Sequence, residues 1–387
     1  MIDFVYENPA KIIFGRSALS HLGEEVRRYS DKVLLVYGGG SIKKSGLYDR
    51  VRGILAEQGA RVWELGGIVP NPLLSRVYEG IALCREHSIG LVLAVGGGSA
   101  IDTGKAVANG ACYDGDEWDF HAGKAIPKAC LPLGTVVTIP AAGSEMSYSC
   151  VITKEEGMLK CGYNSVTNVP KFSILNPEWA FTLPPYQRAC GATDILAHLM
   201  ERYFTRVDHV SLTDALLEGS MRTVLQNAPI VMEKPEDYDA WAELMWTGAI
   251  AHNTLLQTGR VGDWASHRLG RDLSALYGMA HGASLAIVFP AWMKHVLPLG
   301  AEKLKQFSVA VLDVPRSVGD DRAVALEGIR RLEAFFRALG MPTRLGEAGI
   351  DNRRLKEMAD RATSDGPVGA YVPIHGSDAF KIYKLAL

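Results

Sequence analysis

Apolar residues along this chain fall into two regimes. Through LGEEVRRYSDKVLLVYGG, LYDRVRGILAEQGARVWELG and LLSRVYEGIALCREHSIGLVLAVGGG, stretches with helical spacing alternate with short β-rich apolar runs. A helical stripe keeps one wet face, whereas KVLLVY or GLVLAV is apolar on both sides of a pleat and reads as a strand buried on both faces. Helices feeding such strands make βαβ units, so the pattern predicts an α/β fold with a mostly parallel sheet. After LPPYQ, around Pro184 and Pro185, strand signals fade and helical periodicity takes over. The run RAVALEGIRRLEAFFRALGMP shows it well: Leu326, Ile329, Leu332, Phe336 and Leu339 form a stripe that Gly340 and Pro342 end. The expected organisation is an α/β domain over residues 1–185 and an all-helical domain over 186–387.

Two of the predicted strands end in glycine. KVLLVY runs into Gly38, Gly39, Gly40 and Ser41, and GLVLAV into Gly96, Gly97, Gly98 and Ser99. Glycine lets a backbone approach a ligand closely, and the free amides of a helix start attract phosphate oxygens, so two such turns suggest a dinucleotide. The pattern is not a nucleotide-triphosphatase loop: five residues, not four, separate Gly98 from Gly104, and Ala106 follows Lys105. It also misses the strict spacing of the usual dinucleotide fingerprint. Ordinary tight turns remain the alternative at this point.

The C-terminal half carries a different signal. In GATDILAHLMERYF, Asp194 and His198 stand four apart in a helical pattern and project from one face. His267 and His281 follow in DWASHRLGRDLSALYGMAHGASLAIVF. One carboxylate and three imidazoles suit a borderline divalent ion such as zinc or ferrous iron, and poorly suit calcium or magnesium. Taken alone, an Asp and a His at this spacing are more often a hydrogen-bonded pair than two ligands.

Together, GGGSAIDTGKA, TIPAAGSEMS, LPPYQRACGATDILAHLMERY and DWASHRLGRDLSALYGMAHG resemble the iron-containing, or group III, alcohol dehydrogenases, and most of all their butanol-dehydrogenase-like, NADPH-dependent aldehyde-reducing branch. The likeness begins at FVYENPAKIIFG and covers almost the whole chain. It implies a Rossmann-like N-terminal domain and an all-α C-terminal domain, in the architecture shared with dehydroquinate synthase. It implies that Asp194, His198, His267 and His281 ligate one iron or zinc ion. Gly96, Gly97, Gly98 and Ser99 would hold the cofactor pyrophosphate, with Asp102 and Lys105 in the next helical turn; Thr138, Ser144, Ser147 and Lys160 match other cofactor-contacting positions. A lysine in a helix's first turn opposes the macrodipole unless an anion compensates, which suits Lys105 to phosphate or ribose. Members preferring NAD tend to carry an Asp in the first turn. Here YGGGSIKK has none, while Gly38, Gly39, Gly40 and Ser41 leave room and Lys43 or Lys44 add charge, so NADP(H) is expected over NAD(H). Where many relatives place a histidine four residues after the third ligand, this chain has Arg271, a poor general acid or base that can anchor a carboxylate or phosphate; pairing with Asp194, Asp272 or a surface acid is the equal alternative. The implied reaction is hydride transfer from the nicotinamide to a small aldehyde whose carbonyl the metal polarises, with the proton coming from water or the cofactor ribose. A glycerol-dehydrogenase-like polyol dehydrogenase, a dehydroquinate-synthase-like lyase and a non-catalytic metal- or nucleotide-binding protein are the alternatives.

Composition adds limits. At 387 residues the chain exceeds one ordinary core. A net charge of −2 gives no reason to expect nucleic acid or membrane partners, and the expected partners are a small aldehyde or alcohol and a second copy in a homodimer. Asp3, Glu7 and Lys11 leave no signal-like apolar core, and no stretch of transmembrane length is free of charge, so a cytoplasmic location is expected. The cysteines, at 84, 112, 130, 150, 161 and 190, show no CxxC spacing and suggest no disulfide framework.

Overall fold

The computed structural model describes residues 1–387. The chain forms two compact units, one comprising Glu7–Leu183 with Glu236–Asn253, the other Met1–Tyr6, Pro184–Pro235 and Thr254–Leu387.

The first unit is built from strands β1 (Lys11–Phe14), β2 (Lys32–Tyr37), β3 (Arg61–Leu65), β4 (Leu91–Gly96), β5 (Leu133–Val137), β6 (Ser149–Lys154), β7 (Leu159–Asn164) and β8 (Phe172–Leu175). Six of them form one sheet in the order β1-β8-β5-β4-β2-β3, and every pairing in it is parallel. β6 and β7 make a separate antiparallel hairpin. The helices are α1 (Leu22–Arg27), α2 (Ser41–Lys44), α3 (Leu47–Glu57), α4 (Leu74–His87), α5 (Gly98–Ala111) and α6 (Trp118–His121). Alternate residues of the central strands face opposite cores. Val33 and Leu35 of β2 with Leu91, Leu93 and Val95 of β4 meet Val26, Val51 and Leu55 of α1 and α3. Leu34, Val36, Val92 and Ala94 meet Val77, Ile81, Ile101 and Val107 of α4 and α5. Burial on both faces is why these strands read as unbroken apolar runs, and the expected parallel α/β sheet is what forms.

At Leu183–Pro184 the chain leaves this unit and builds α7 (Pro185–Tyr203) and α8 (Ser211–Glu233). It then returns for α9 (Tyr238–Ala251), whose Met245 and Ala249 pack into the same cluster as Leu34 and Val92. His252, just beyond, hydrogen-bonds the Ala142 carbonyl at 2.8 Å. Residues 1–6 go the other way: the Met1 ammonium donates to the Asp208 carbonyl at 2.6 Å, and Ile2 N–H to that of Gly259. A single cut at residue 185 therefore differs from the structure in two segments. An apolar helix records that it needs a core, and not which core it joins.

The second unit continues with α10 (Ala265–Tyr277), α11 (His281–Leu312), α12 (Asp321–Ala338), α13 (Leu355–Ala362) and α14 (Gly376–Leu385). α11 is its axis, packing on α7, α8, α10, α12 and α14. By length and composition α11 could cross a membrane, but 78% of its most apolar window is buried inside the protein and it bends at Gly300. It is a core helix. On α12 the stripe of Ile329, Leu332, Phe336 and Leu339 is buried, Leu326 is only half-buried, and Val324, Ala325 and Gly328 complete the inward face. All six cysteines are free thiols.

Candidate active site

Pro185 opens α7 at a position whose N–H has no intrahelical partner to lose. From Ala189 onward nearly every residue of the helix is buried, which fixes its rotation and sets Asp194 and His198 one turn apart inside the second unit. The His198 ring contacts the Asp194 carbonyl oxygen through Nδ1 at 2.8 Å. A carbonyl only accepts, so Nδ1 carries the proton and Nε2 keeps its lone pair. His267 repeats the logic on α10. Its Nδ1 lies 2.8 Å from a carboxylate oxygen of Glu201, so again Nε2 is the basic nitrogen. His281 is the first residue of α11.

Ligand atoms of Asp194, His267 and His281 lie within 4.8 Å of one another. The His198 ring stands beside them, 4.5 Å from the His267 ring centre, with Nδ1 3.5 Å from Asp194 Oδ1. The structure thus brings all four expected ligands together, three by their donor atoms and His198 by its ring. Asp194, Glu201, Asp263 and Arg202 are all buried. The donors, one carboxylate oxygen and imidazole nitrogens, are those iron and zinc accept. Burial, with the nearby His267 and Arg202, holds the His198 pKa well below its usual value, in the neutral form that a ligand requires. Arg271 lies one turn beyond His267 on α10 and is half-buried; the adjacent Asp272 accepts from Arg361 at 2.8 Å.

In the first unit, β4 delivers the chain to Gly97, the cap of α5. A Cβ on Gly97 would lie 3.3 Å from Ile139, and one on Gly98 3.3 Å from Ala142, so a larger residue would crowd the segment after β5. Gly39 and Gly40, by contrast, face open space, so any need for glycine there comes from outside the chain itself. The first turn of α5 holds no acid, which keeps its amides attractive to an anion. Ser99 is half-buried in that turn, and Gly38 and Ser41 flank the corresponding turn after β2.

Asp102 and Lys105 behave differently from the sequence argument. Lys105 stands in the second turn of α5, fully buried, and its ammonium donates to Ser147 Oγ and to the carbonyls of Ser147 and Ser149 at 2.8–3.1 Å. The dipole argument for an anion beside it therefore fails: these oxygens, with Asp102 at 3.8 Å, answer its charge. Asp102 accepts from Ser144 Oγ at 2.5 Å and Val151 N–H at 2.9 Å. Both side chains brace the TIPAAGSEMS segment against α5. Thr138 follows β5 with its N–H on the Gly96 carbonyl, and Lys160 on β7 donates to Asn71 at 2.8 Å.

The same segment buries Glu145, whose Oε1 has no hydrogen-bond partner. Burial pushes its carboxyl from 4.5 to about 7. Between those pH values the folded chain holds a proton that the unfolded chain has released, so stability falls as pH rises across the interval, by up to about 3 kcal/mol. Glu145→Gln is expected to remove that part of the slope. Urea denaturation of both proteins at about pH 5 and about pH 8 checks this, and equal pH dependence in the two would refute it.

Sequence reasoning missed Glu201, Asp263 and Trp264. Glu201 lies seven residues after Asp194 and three after His198, on the same helical face, and that spacing was the available signal. Burial raises the pKa of both Glu201 and Asp263, while backbone N–H donors pull the other way. Trp264 adopts φ +67° and sets its ring edge-on to His198 and His267.

Comparison with known proteins bears on this geometry. Residues 9–177 match the model of the iron-containing alcohol dehydrogenases, and residues 188–387 match the C-terminal model of the same family. The chain is 44% identical to a probable NADH-dependent butanol dehydrogenase of Bacillus subtilis over the full length of both. It is 35% identical to an NADPH-dependent aldehyde reductase of Escherichia coli, over 95% of this chain and 94% of that one. The crystal structure of NADH-dependent butanol dehydrogenase A from Thermotoga maritima superposes with a TM-score of 0.96 at 39% identity, covering 100% of this chain and 99% of the other. With a glycine turn on a parallel sheet, a carboxylate–imidazole cluster on α7, α10 and α11, and both family models matched in order, the chain belongs to the iron-containing alcohol dehydrogenase family.

Proposed function

We propose that this protein is a metal-dependent, NADP(H)-linked alcohol dehydrogenase that reduces small aldehydes by hydride transfer from the nicotinamide to the carbonyl carbon. The observation that carries the reading is the convergence of Asp194, His267 and His281 donor atoms within 4.8 Å, with His198 beside them. Those four residues would hold one iron or zinc ion, which when bound supplies Lewis-acid polarisation of a carbonyl. Gly96, Gly97, Gly98 and Ser99, at the start of α5, would hold the pyrophosphate of the cofactor, and Gly38, Gly39, Gly40 and Ser41 its adenosine side. Asp102 and Lys105 act through Ser144, Ser147 and Ser149, keeping the segment that carries Thr138 and those serines in place. Arg271 stays protonated and serves to orient an electron-rich group of the substrate, not to exchange protons.

The coenzyme preference rests on the absence of an acid among residues 37–44 and the presence of Lys43 and Lys44. One observation favours NAD(H) as a second reading. The Lys43 ammonium lies over the rings of Tyr48 and Tyr37, at 4.8 and 5.3 Å, and both phenols donate to Glu64 at the end of β3. That arrangement places a carboxylate near the turn and engages one of the two lysines. Two of the three relatives described above are named for NADH and one for NADPH.

The test is the initial rate of butanal reduction with NADPH and with NADH, using protein stripped of metal and reloaded anaerobically with ferrous iron or zinc. Metal-dependent turnover with the higher kcat/KM for NADPH is expected. Higher kcat/KM for NADH would reverse the coenzyme assignment alone, and no turnover with either coenzyme and either metal would overturn the aldehyde-reductase reading.

A further inference from the structure

Helix α10 begins in an unusual way. Its cap residue, Trp264, is held at φ +67°, a left-handed conformation that a bulky side chain rarely adopts and that the surroundings must enforce. What enforces it lies on α7. The Trp264 N–H donates to Glu201 Oε2 at 2.6 Å, and the His267 N–H, three residues into the new helix, donates to Glu201 Oε1 at 2.8 Å. The first turn of a helix presents N–H groups with no partner of their own, and here one fully buried carboxylate from another helix satisfies two of them. Asp263 takes a third, from Ala265 at 3.1 Å, and its own N–H returns to the Glu201 carbonyl.

Glu201 does one thing that Asp263 does not. The oxygen that accepts the His267 backbone N–H also accepts the proton on His267 Nδ1, at 2.8 Å. The same oxygen thus fixes where the histidine sits along α10 and which of its ring nitrogens is free. Arg202, beside it, donates to the His198 carbonyl at 2.9 Å and lies 4.7 Å over the Trp264 ring, whose edge meets the imidazoles of His198 and His267.

We propose that Glu201 is a positioning residue of the metal centre: it holds His267 as the tautomer with Nε2 unprotonated and fixes the start of α10, so that the nitrogen is aimed before any ion arrives. The assignment rests on the reading that Asp194, His198, His267 and His281 bind a divalent metal. A carboxylate that orients a ligating imidazole characteristically contributes a factor of about 10–100 in metal affinity.

Glu201→Gln separates the roles. The amide keeps the size of the side chain and an oxygen able to cap a backbone N–H. One amide oxygen cannot replace two carboxylate oxygens. With it on the Trp264 N–H, the NH₂ faces His267 Nδ1 and favours the other tautomer, which places a proton on the ligating nitrogen. With it on His267, the NH₂ opposes the Trp264 N–H and displaces the start of α10, so either placement disturbs the aim of Nε2. The experiment measures the Kd for cobalt(II) by competition with a chromophoric chelator, the visible spectrum of the cobalt form, and the melting temperature of the metal-free full-length protein. Weakening by about 10–100-fold with an altered cobalt spectrum is the expected result. A lower melting temperature with unchanged Kd and spectrum would reduce Glu201 to a helix cap and overturn the proposal. If the variant does not fold, selective ¹⁵N labelling of histidine in the metal-free wild-type protein still decides: the shifts of His267 must report Nδ1–H, and an Nε2–H tautomer overturns the proposal. A wild-type protein that binds no cobalt would instead remove the metal reading, an outcome distinguishable from both of these.

Discussion

Asp194→Asn or His198→Ala is expected to lower kcat/KM for aldehyde reduction by about a thousandfold and to leave the purified protein with little bound metal. On the proposed reading, the size follows from the several kcal/mol of charge stabilisation that a divalent ion held by these residues would supply, each 1.36 kcal/mol being about tenfold in rate. The two substitutions act by different routes. Asp194→Asn replaces the one carboxylate of the donor cluster with a neutral amide. His198→Ala deletes an imidazole whose free nitrogen is fixed by its bond to the Asp194 carbonyl. Metal content by elemental analysis, read beside kcat/KM for the same preparations, checks both. A variant that keeps a full complement of metal and wild-type kcat/KM would remove its residue from the site.

Gly282→Ala is expected to destabilise the protein by about 1–3 kcal/mol and to loosen metal binding, although the same substitution in an open helical position stabilises. A Cβ at Gly282 would lie 2.8 Å from the Cys190 carbonyl carbon and closer still to its oxygen. Those are backbone atoms of α7 and cannot swing aside. The clash falls at the approach of α7 and α11, one residue from His281 and one turn from Asp194, so any relief moves His281 away from Asp194. Gly219 on α8 is the matching control, since no atom lies within 4 Å of its would-be Cβ, and Gly219→Ala is expected to add up to about 1 kcal/mol. Thermal melts of both metal-free variants and a cobalt titration of each give the comparison. Gly282→Ala melting at or above the wild-type temperature would show that the two helices can part without cost.

Much of this molecule was legible in its sequence, for reasons the structure makes plain. The sheet could be read because its central strands are sandwiched, so KVLLVY and LVLAVG had no polar side to confuse with a loop. Asp194 and His198 could be read because one helical turn links them, and the later histidines because they stand in strongly patterned segments. Glu201 was missed because a glutamate within MERYF looks like a solvated face, and only the tertiary fold buries it against α10. Lys105 was misjudged because position along a helix does not reveal whether a charge faces a ligand or the carbonyls of a neighbouring segment. The place of α9 was hidden for a related reason: a helix with Trp241, Leu244, Met245 and Ala249 all buried advertises burial without naming its neighbours.

The excursion of α9 has a consequence for biosynthesis. As the chain emerges from the ribosome, the sheet unit reaches Leu183 with its strands complete but still lacks the helix that closes one side of its core. About seventy further residues, up to Asn253, must be made before that helix is complete, which at 5–20 residues per second is a delay of roughly 4–14 s. During that interval the nascent sheet exposes an apolar strip of the kind that molecular chaperones recognise. A chain truncated near residue 185 would keep that strip permanently uncovered.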